Sequence, residues 1–462
     1  MPYDLLHVPV LGRFLRGRWG RLLGQGPLLA LAALMVYDGL TGPPLAPYNF
    51  ATVLAWVHYR GLVILALVFG GNLFCWGCPF TLPRTLARRF GRGGRRWPRL
   101  LRNKWPAIAV LFLFFWLYEW LDLWASPWLT AWVVVAYFVA AGVLEALFAE
   151  SPFCKYLCPL GSFNFAAASI SPLQITARQA TVCRTCVGKE CVNGSATVSG
   201  CGTELFVPLL ASNRDCTFCL DCARACPYDN VALTTRSPLR ELVADAWPRR
   251  WDVSFLALVF AFLGLSNAFG MTPPIYSLLT ALAVRLPWAD EALLLLFVLA
   301  VLDLGLPAVL GLGAAALSRH LAGRDEPLRV SLARFVPAVM PLAVAIWLAH
   351  YGFHFATAAL AVIPLTQQFL LDHGLTFAGL RPAWQLGPLV PMAWLLPIEL
   401  AIVLIGLLAS LYVLGERNRR HFGEQATTVM IPWVVLLVLM AVAAILIFSL
   451  PMEMRGSALG GH

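Results

Sequence analysis

Twelve cysteines in 462 residues are the groups best able to do chemistry in this chain. Four of them, Cys216, Cys219, Cys222 and Cys226, stand in CTFCLDCARACP, with Pro227 after the last. A C-x2-C-x2-C-x3-C-P run can wrap four thiolates around a 4Fe-4S cube. The proline has no N–H and cannot extend a helix, so it sets the exit of the loop. A second set precedes it: Cys183, Cys186, Cys191 and Cys201. Its spacing is looser, with four residues before Cys191, nine before Cys201, and Gly202 where a proline would stand. Eight cysteines are enough for two clusters. The alternative is a zinc ribbon, because C-x2-C pairs also bind zinc.

The other four cysteines form two pairs, Cys75 and Cys78 in CWGCP, and Cys154 and Cys158 in CKYLCP. Each pair ends an apolar run and is followed by proline, Pro79 or Pro159. Stretches 27–78 and 106–159 are thus a weak internal repeat: two apolar runs, a cysteine pair, a proline. Two such hairpins packed together would bring four thiolates to one place. A third Fe-S site close to a membrane surface is expected there. Two separate buried thiol pairs, or a zinc or copper site, are the open alternatives.

This order resembles the NapH/NosR-type membrane polyferredoxins over roughly residues 1–240. CKYLCP matches the family's C-x3-C-P motif, and CWGCP is one residue shorter. The resemblance implies four spans followed by a two-cluster, bacterial-type ferredoxin-like domain on the cytoplasmic side. In two-cluster ferredoxins the fourth cysteine of each run serves the other cluster. The resemblance therefore assigns Cys183, Cys186, Cys191 and Cys226 to one 4Fe-4S cluster, and Cys216, Cys219, Cys222 and Cys201 to the second. The apolar C-terminal half is similar in architecture to the FesM-type branch, membrane iron–sulfur proteins linked to quinone-dependent or cyclic electron transport.

The elements that must position these cysteines are mostly membrane-like. Hydrophobic residues make up 60% of the chain and charged residues 13%, far from a soluble profile. Apolar runs near 27–43, 53–74, 106–124, 129–149, 252–270, 290–317, 333–357, 389–414 and 429–451 approach the length that crosses a hydrocarbon core. The expected fold is a polytopic α-helical membrane protein of about nine spans with an inserted small α+β ferredoxin-like domain. Its parts would be 1–171, 172–240 and 241–462. Residues 273–287 read as a short interfacial piece, and 357–388, with Pro364, Gly374, Gly379 and Pro382, as a long loop. Arg84, Arg88, Arg89, Arg92, Arg95, Arg96, Arg99, Arg102 and Lys104 crowd one loop without an acid. By the positive-inside rule that loop is cytoplasmic, and both Cys-Pro motifs and the ferredoxin segment then fall on the same side, with the C-terminus outside. A bacterial inner membrane is expected, where cytoplasmic thiols stay reduced and serve as metal ligands. The first apolar run lacks a cleavage site, so no cleavable leader is expected. The net charge of +10 lies beside the spans and is no nucleic-acid signal.

Polar residues within spans are costly and usually functional. His350 and His354 share one helix face, and His58, Glu399, Asp38, Glu119, Asp122, Asp372 and His373 also fall toward the outer side; Asp303 and Glu145 lie nearer the inner half. One reading is a quinone pocket, with Tyr351 and Trp347 walling the ring. A b-type haem between His58 and His350 or His354 is the least favoured alternative, and the plainest reading is span-end residues that meet headgroups and water. Arg184, Lys189, Arg214 and Arg224 stand near the cluster cysteines and could raise their potential or dock an acidic partner. No dinucleotide fingerprint and no P-loop lysine occurs. The expected function is membrane-bound electron transfer between a cytoplasmic-side redox partner and the quinone pool, with other redox subunits as partners. A maturation or regulatory factor that supplies electrons to a partner metalloenzyme is the alternative.

Overall fold

The structure is a computed structural model, and residues 3–82, 94–375 and 381–452 are described. Arg84, Arg88, Arg89, Arg92, Gly379 and the C-terminal ten residues lie outside them. The described chain is mostly helical, with one small sheet. Seven of its helical stretches are long and apolar enough to cross a membrane. Trp105–Trp120 is apolar but shorter, and the stretch Met392–Phe448 is two helices, Met392–Phe422 and Ala426–Phe448, meeting at Gly423. Residues 357–388 are not one long loop: Val362–Asp372 is helical. Pro364 sits in its first turn, where no N–H is needed, so it does not break the helix.

By its contacts the chain divides into two compact units that cut across the sequential order. One comprises 1–31, 66–111 and 136–247; the other comprises 32–65, 112–135 and 248–462.

In the first unit, β1 (Leu173–Ala177) pairs antiparallel with β2 (Val231–Thr235), Leu173 opposite Thr235. An isolated pair of strands is marginal in water. This one is held by Leu6, Phe218, Leu220 and Leu233, all essentially inaccessible, packed with Leu173 and Ile175 from the inner face of β1. The N-terminal segment extends the sheet. Asp4 bridges Thr234, accepts from the Leu233 N–H at 3.3 Å and pairs with Arg178 at 2.9 Å. The segment carrying eight cysteines is thereby closed at both ends, by β1 before it and β2 after it.

In the second unit, the helix Met340–Ala358 is buried on every side, with Leu342, Ile346, Trp347 and His350 inaccessible. A helix that is apolar all round is a central one. Its neighbours include Trp251–Phe269 and Met392–Phe422. Trp347 Nε1 donates to the Phe260 carbonyl at 2.9 Å. Gly406 lies directly against Ala345 and Leu342, and a Cβ there would collide with Ala345.

Candidate functional site

The first unit gathers the twelve cysteines into three groups. Cys183, Cys186, Cys191 and Cys226 line one hollow with Phe206, Val207 and Asn230. Cys183 lies on the short helix Ala180–Thr185, which Cys186 caps, and Cys226 caps Asp221–Ala225. Asn230 joins the two runs: its Nδ2 donates to Cys183 Sγ at 3.2 Å and its backbone N–H to Cys226 Sγ at 3.4 Å. Burial pushes the Cys191 thiol up in pKa, the Val207 N–H opposes this, and Cys183, Cys226 and Cys186 add to the rise.

The second group is Cys201, Cys216, Cys219 and Cys222. Burial raises the Cys222 thiol, and Cys219, Cys216 and Cys201 raise it further by their own charge. The loop that turns them toward one another is strained. Phe218 and Leu220 alternate with the cysteines at φ 47° and 59°, the left-handed region that costs a non-glycine residue about 1–3 kcal/mol. Both side chains are buried in the sheet core, and that packing holds the strain. The Phe218 N–H donates to Cys216 Sγ and the Leu205 N–H to Cys201 Sγ, each at 3.4 Å. Cys226 therefore stands with the first three cysteines of the other run, and Cys201 with Cys216, Cys219 and Cys222.

Both Cys-Pro motifs line a third hollow. Cys75, Cys78, Cys154 and Cys158 surround it with Phe80, Phe153 and Asn164, and with Arg214 and Asp215 from the segment between β1 and β2. Cys158 caps the helix Pro159–Ile170 and Cys78 caps the turn Pro79–Thr81. Proline at the first helical position removes one N–H and leaves the next ones free to face the sulfur. Burial pushes Cys158 up to about 12, the charge of Cys78 adds to that, and the N–H groups of Gly161 and Leu160 pull it down. Cys78 is pushed up to about 12 by burial and by Cys154, against the Phe80 N–H and the Arg21 guanidinium. Buried thiols that resist ionisation this strongly become thiolates only beside a compensating positive charge, which a metal centre provides.

Hydrogen bonds tie the third group to the second. Asn72 Nδ2 donates to the Cys216 carbonyl at 2.6 Å and to the Asn213 carbonyl at 2.8 Å; Asn164 Nδ2 reaches the same Cys216 carbonyl at 3.1 Å. The Ser151 N–H binds the Gly202 carbonyl at 2.8 Å, and Lys155 Nζ binds the Thr203 carbonyl at 2.7 Å, both beside Cys201. Lys104 Nζ pairs with Asp215 at 2.6 Å. Burial first, then Cys78, Cys154, Cys158 and Cys216 raise the Cys75 thiol, so groups two and three lie within electrostatic reach. Among the described residues, no three Cys, His, Asp or Glu side chains converge closely enough to grip a single ion. Arg214 is buried, stacked on Trp247 and paired with Glu241 at 3.4 Å, so it faces the third hollow and no outside partner. Arg184, Lys189 and Arg224 are exposed.

Comparison with protein-family models, with curated proteins and with solved structures gives no match to the chain.

In the second unit the histidines separate. Both ring nitrogens of His58 face backbone carbonyls, Val53 O at 3.0 Å and Ala359 O at 2.8 Å, so the ring is oriented by backbone and not toward His350 or His354. His350 and His354 lie together, ring centroids 4.9 Å apart. Both nitrogens of His350 and Nε2 of His354 are buried without a partner. Tyr351 and Trp347 meet edge-on beside them, ring centroids 5.0 Å apart. Glu399 is buried with Oε1 unpartnered, and no hydrogen bond joins it to the histidines. Asp303 accepts from Ser266 Oγ at 2.5 Å, Glu119 from Asn267 at 3.4 Å, and, in the first unit, Glu145 from Ser151 at 3.2 Å. Asp38 accepts the Phe50 N–H at 2.6 Å, and His373 meets Tyr37 at 3.0 Å.

Sequence reasoning passed over Asn72, Asn164, Lys155 and Arg60. Three of these carried a usable signal. Asn72 and Asn164 are lone amides in apolar stretches next to the Cys-Pro motifs, and Arg60 is a lone cation inside an apolar run.

Proposed function

We propose that the chain is a multi-pass membrane electron-transfer protein that holds two 4Fe-4S clusters and a third iron–sulfur centre, and that it connects a redox partner with a lipophilic quinone pool. The observation that carries this reading is the arrangement of twelve thiols in three groups of four, the second bonded to the third through Asn72, Asn164 and Lys155. The donor set fits. Soft thiolates select iron–sulfur centres, zinc or Cu(I), and zinc would draw its four sulfurs onto one ion at about 2.3 Å each. A polynuclear cluster has one iron per thiolate, and the hollows of the first and third groups are each lined by four thiols. Such clusters, when bound, supply reversible one-electron transfer. The chain's own contribution is to bury the sulfurs, to aim backbone N–H groups at Cys201, Cys216 and Cys226, and to place Arg214 beside the third group. The N–H groups and Arg214 favour the more negative, reduced state of the centre, and burial of the sulfurs opposes it.

The test is anaerobic purification of the full chain, with iron, acid-labile sulfide and zinc assayed against protein. About twelve iron per chain is expected for three clusters and about eight for two. Dithionite-reduced protein should then be reoxidised by a short-tailed benzoquinone. Stoichiometric zinc without sulfide would overturn the reading.

A further inference from the structure

The second unit contains polar atoms for which the thiol groups have no use. The Arg60 guanidinium is buried with its carbon 4.4 Å from the ring centre of Trp56, 4.2 Å from Tyr118 and 5.1 Å from Tyr351. Its Nη1 donates to the Tyr118 hydroxyl at 3.1 Å, while Nη2 is buried without a partner. The charge of Arg60 reaches both His350 and His354. A neutral imidazole has one donor and one acceptor nitrogen. His350 uses neither, and His354 leaves Nε2 open.

A cavity of about 250 Å³ opens beside His354, walled by Val57, Met271, Phe353, Thr357 and Met452. Thr357 turns its hydroxyl back to the Phe353 carbonyl at 2.9 Å. His354 is therefore the side chain of the lining with hydrogen-bonding capacity to spare. Water would fill this volume poorly, because an ordered buried water needs about three hydrogen-bond partners. A flat organic ring suits it better. The walls supply Met and Phe contact, and the single polar group meets one acceptor oxygen. His354 and Val57 belong to stretches apolar enough to span a membrane, so the ligand is one that partitions into lipid. The permanent charge of Arg60 behind the histidines favours an electron-rich oxygen at that end.

We propose that this cavity binds the head ring of a lipophilic quinone, with a ring carbonyl on the His354 imidazole. The proposal rests on the electron-transfer reading for its choice among lipophilic carbonyl compounds. The full chain in nanodiscs is labelled with a photoreactive azido-benzoquinone, and binding of unlabelled decyl-benzoquinone is measured by competition. Labelling is expected on the peptides carrying Met271 or residues 353–358. His354→Leu should weaken binding at least tenfold, and Met271→Trp, which fills the cavity while leaving His354 in place, should abolish it. Iron and sulfide should be unchanged in both variants. Labelling confined to other peptides, or binding unaltered in both variants, overturns the proposal; with full iron and sulfide it does so while the electron-transfer reading stands. Cavity-specific quinone binding by a chain that takes up no iron would reject that reading and keep the site.

Discussion

The Cys216 carbonyl is a point at which the joint between the Cys-Pro motifs and the segment between β1 and β2 can be tested. It is buried and receives two amide donors, Asn72 at 2.6 Å and Asn164 at 3.1 Å. Asn72 also serves the Asn213 carbonyl, which keeps the Cys216 N–H at 2.8 Å as a second donor. Asn72→Ala thus removes two hydrogen bonds and orphans neither acceptor, at about 1 kcal/mol each, or about 2 kcal/mol. Asn164→Ala removes one, at about 1 kcal/mol. The double variant leaves the Cys216 carbonyl with no donor, and a buried orphan costs about 1–3 kcal/mol instead of the smaller net value of a bond. The sum should be exceeded by about 1 kcal/mol. Hydrogen exchange of the peptide 213–220 in nanodiscs reads this local opening directly. At 1.4 kcal/mol per tenfold, protection should fall about thirtyfold for Asn72→Ala, about fivefold for Asn164→Ala and several hundredfold for both. The reasoning is refuted if the two changes add within about 0.3 kcal/mol, or if exchange in this peptide is insensitive to Asn72.

Three further outcomes are expected. In anaerobically purified protein, Cys226→Ser should expose Cys183, Cys186 and Cys191 to alkylation and leave Cys216, Cys219 and Cys222 protected, and Cys201→Ser should do the reverse; mass spectrometry that finds each change confined to its own run would reject the exchanged grouping. In protein stripped of metal, Cys78 and Cys158 titrate near 12 when folded and near 9 when unfolded, so between those values the folded chain holds the extra protons. Stability should be level below pH 9 and fall above it, by up to about 1.4 kcal/mol per pH unit for each thiol, and denaturant midpoints that stay flat from pH 8 to 10.5 would count against the burial of these thiols. Deleting Leu157, which shortens CKYLCP to the spacing of CWGCP, should remove the iron of the third group and leave the other two groups loaded; full iron content in the deletion would contradict the geometry of that motif.

The cysteine runs were legible because ligand spacing is a local property of the chain, and the apolar runs were legible because membrane length is. The contacts that join the groups are not local. Asn72 meets Asn213 and Cys216 from more than 140 residues away, and nothing in GGNLFCWGCP says where its amide will go. The looser run, Cys183 to Cys201, shows the same limit: its long gap is occupied by a short helix, Glu190–Asn193, and a bridge between Gly194 and Ser199, and Lys189 enters it at φ 48° without glycine. His58 was attractive as an imidazole in a span, yet its neighbours are two backbone carbonyls. Residues 362–372 read as loop because Pro364 lies within them and Gly374 follows, although proline in a first turn is compatible with helix.

The one-residue difference between the two Cys-Pro motifs has a backbone explanation. In CWGCP the Cys78 N–H reaches back three residues to the Cys75 carbonyl at 3.3 Å. In CKYLCP the Cys158 N–H reaches back five, to Phe153 at 2.8 Å, through the π turn Phe153–Leu157. An added residue in an α-helix would rotate everything before it by about 100° and swing Cys154 away from Cys158. The wider π turn absorbs that residue, so both cysteines of each motif still line one hollow. The same device recurs in the second unit, where π segments Val53–Tyr59 and Val301–Gly305 lead into Arg60 and carry Asp303. A π turn weakens its helix and persists where something else depends on it. Among the described residues, each of these three segments carries or leads into a buried, chemically capable side chain, Cys158, Arg60 or Asp303.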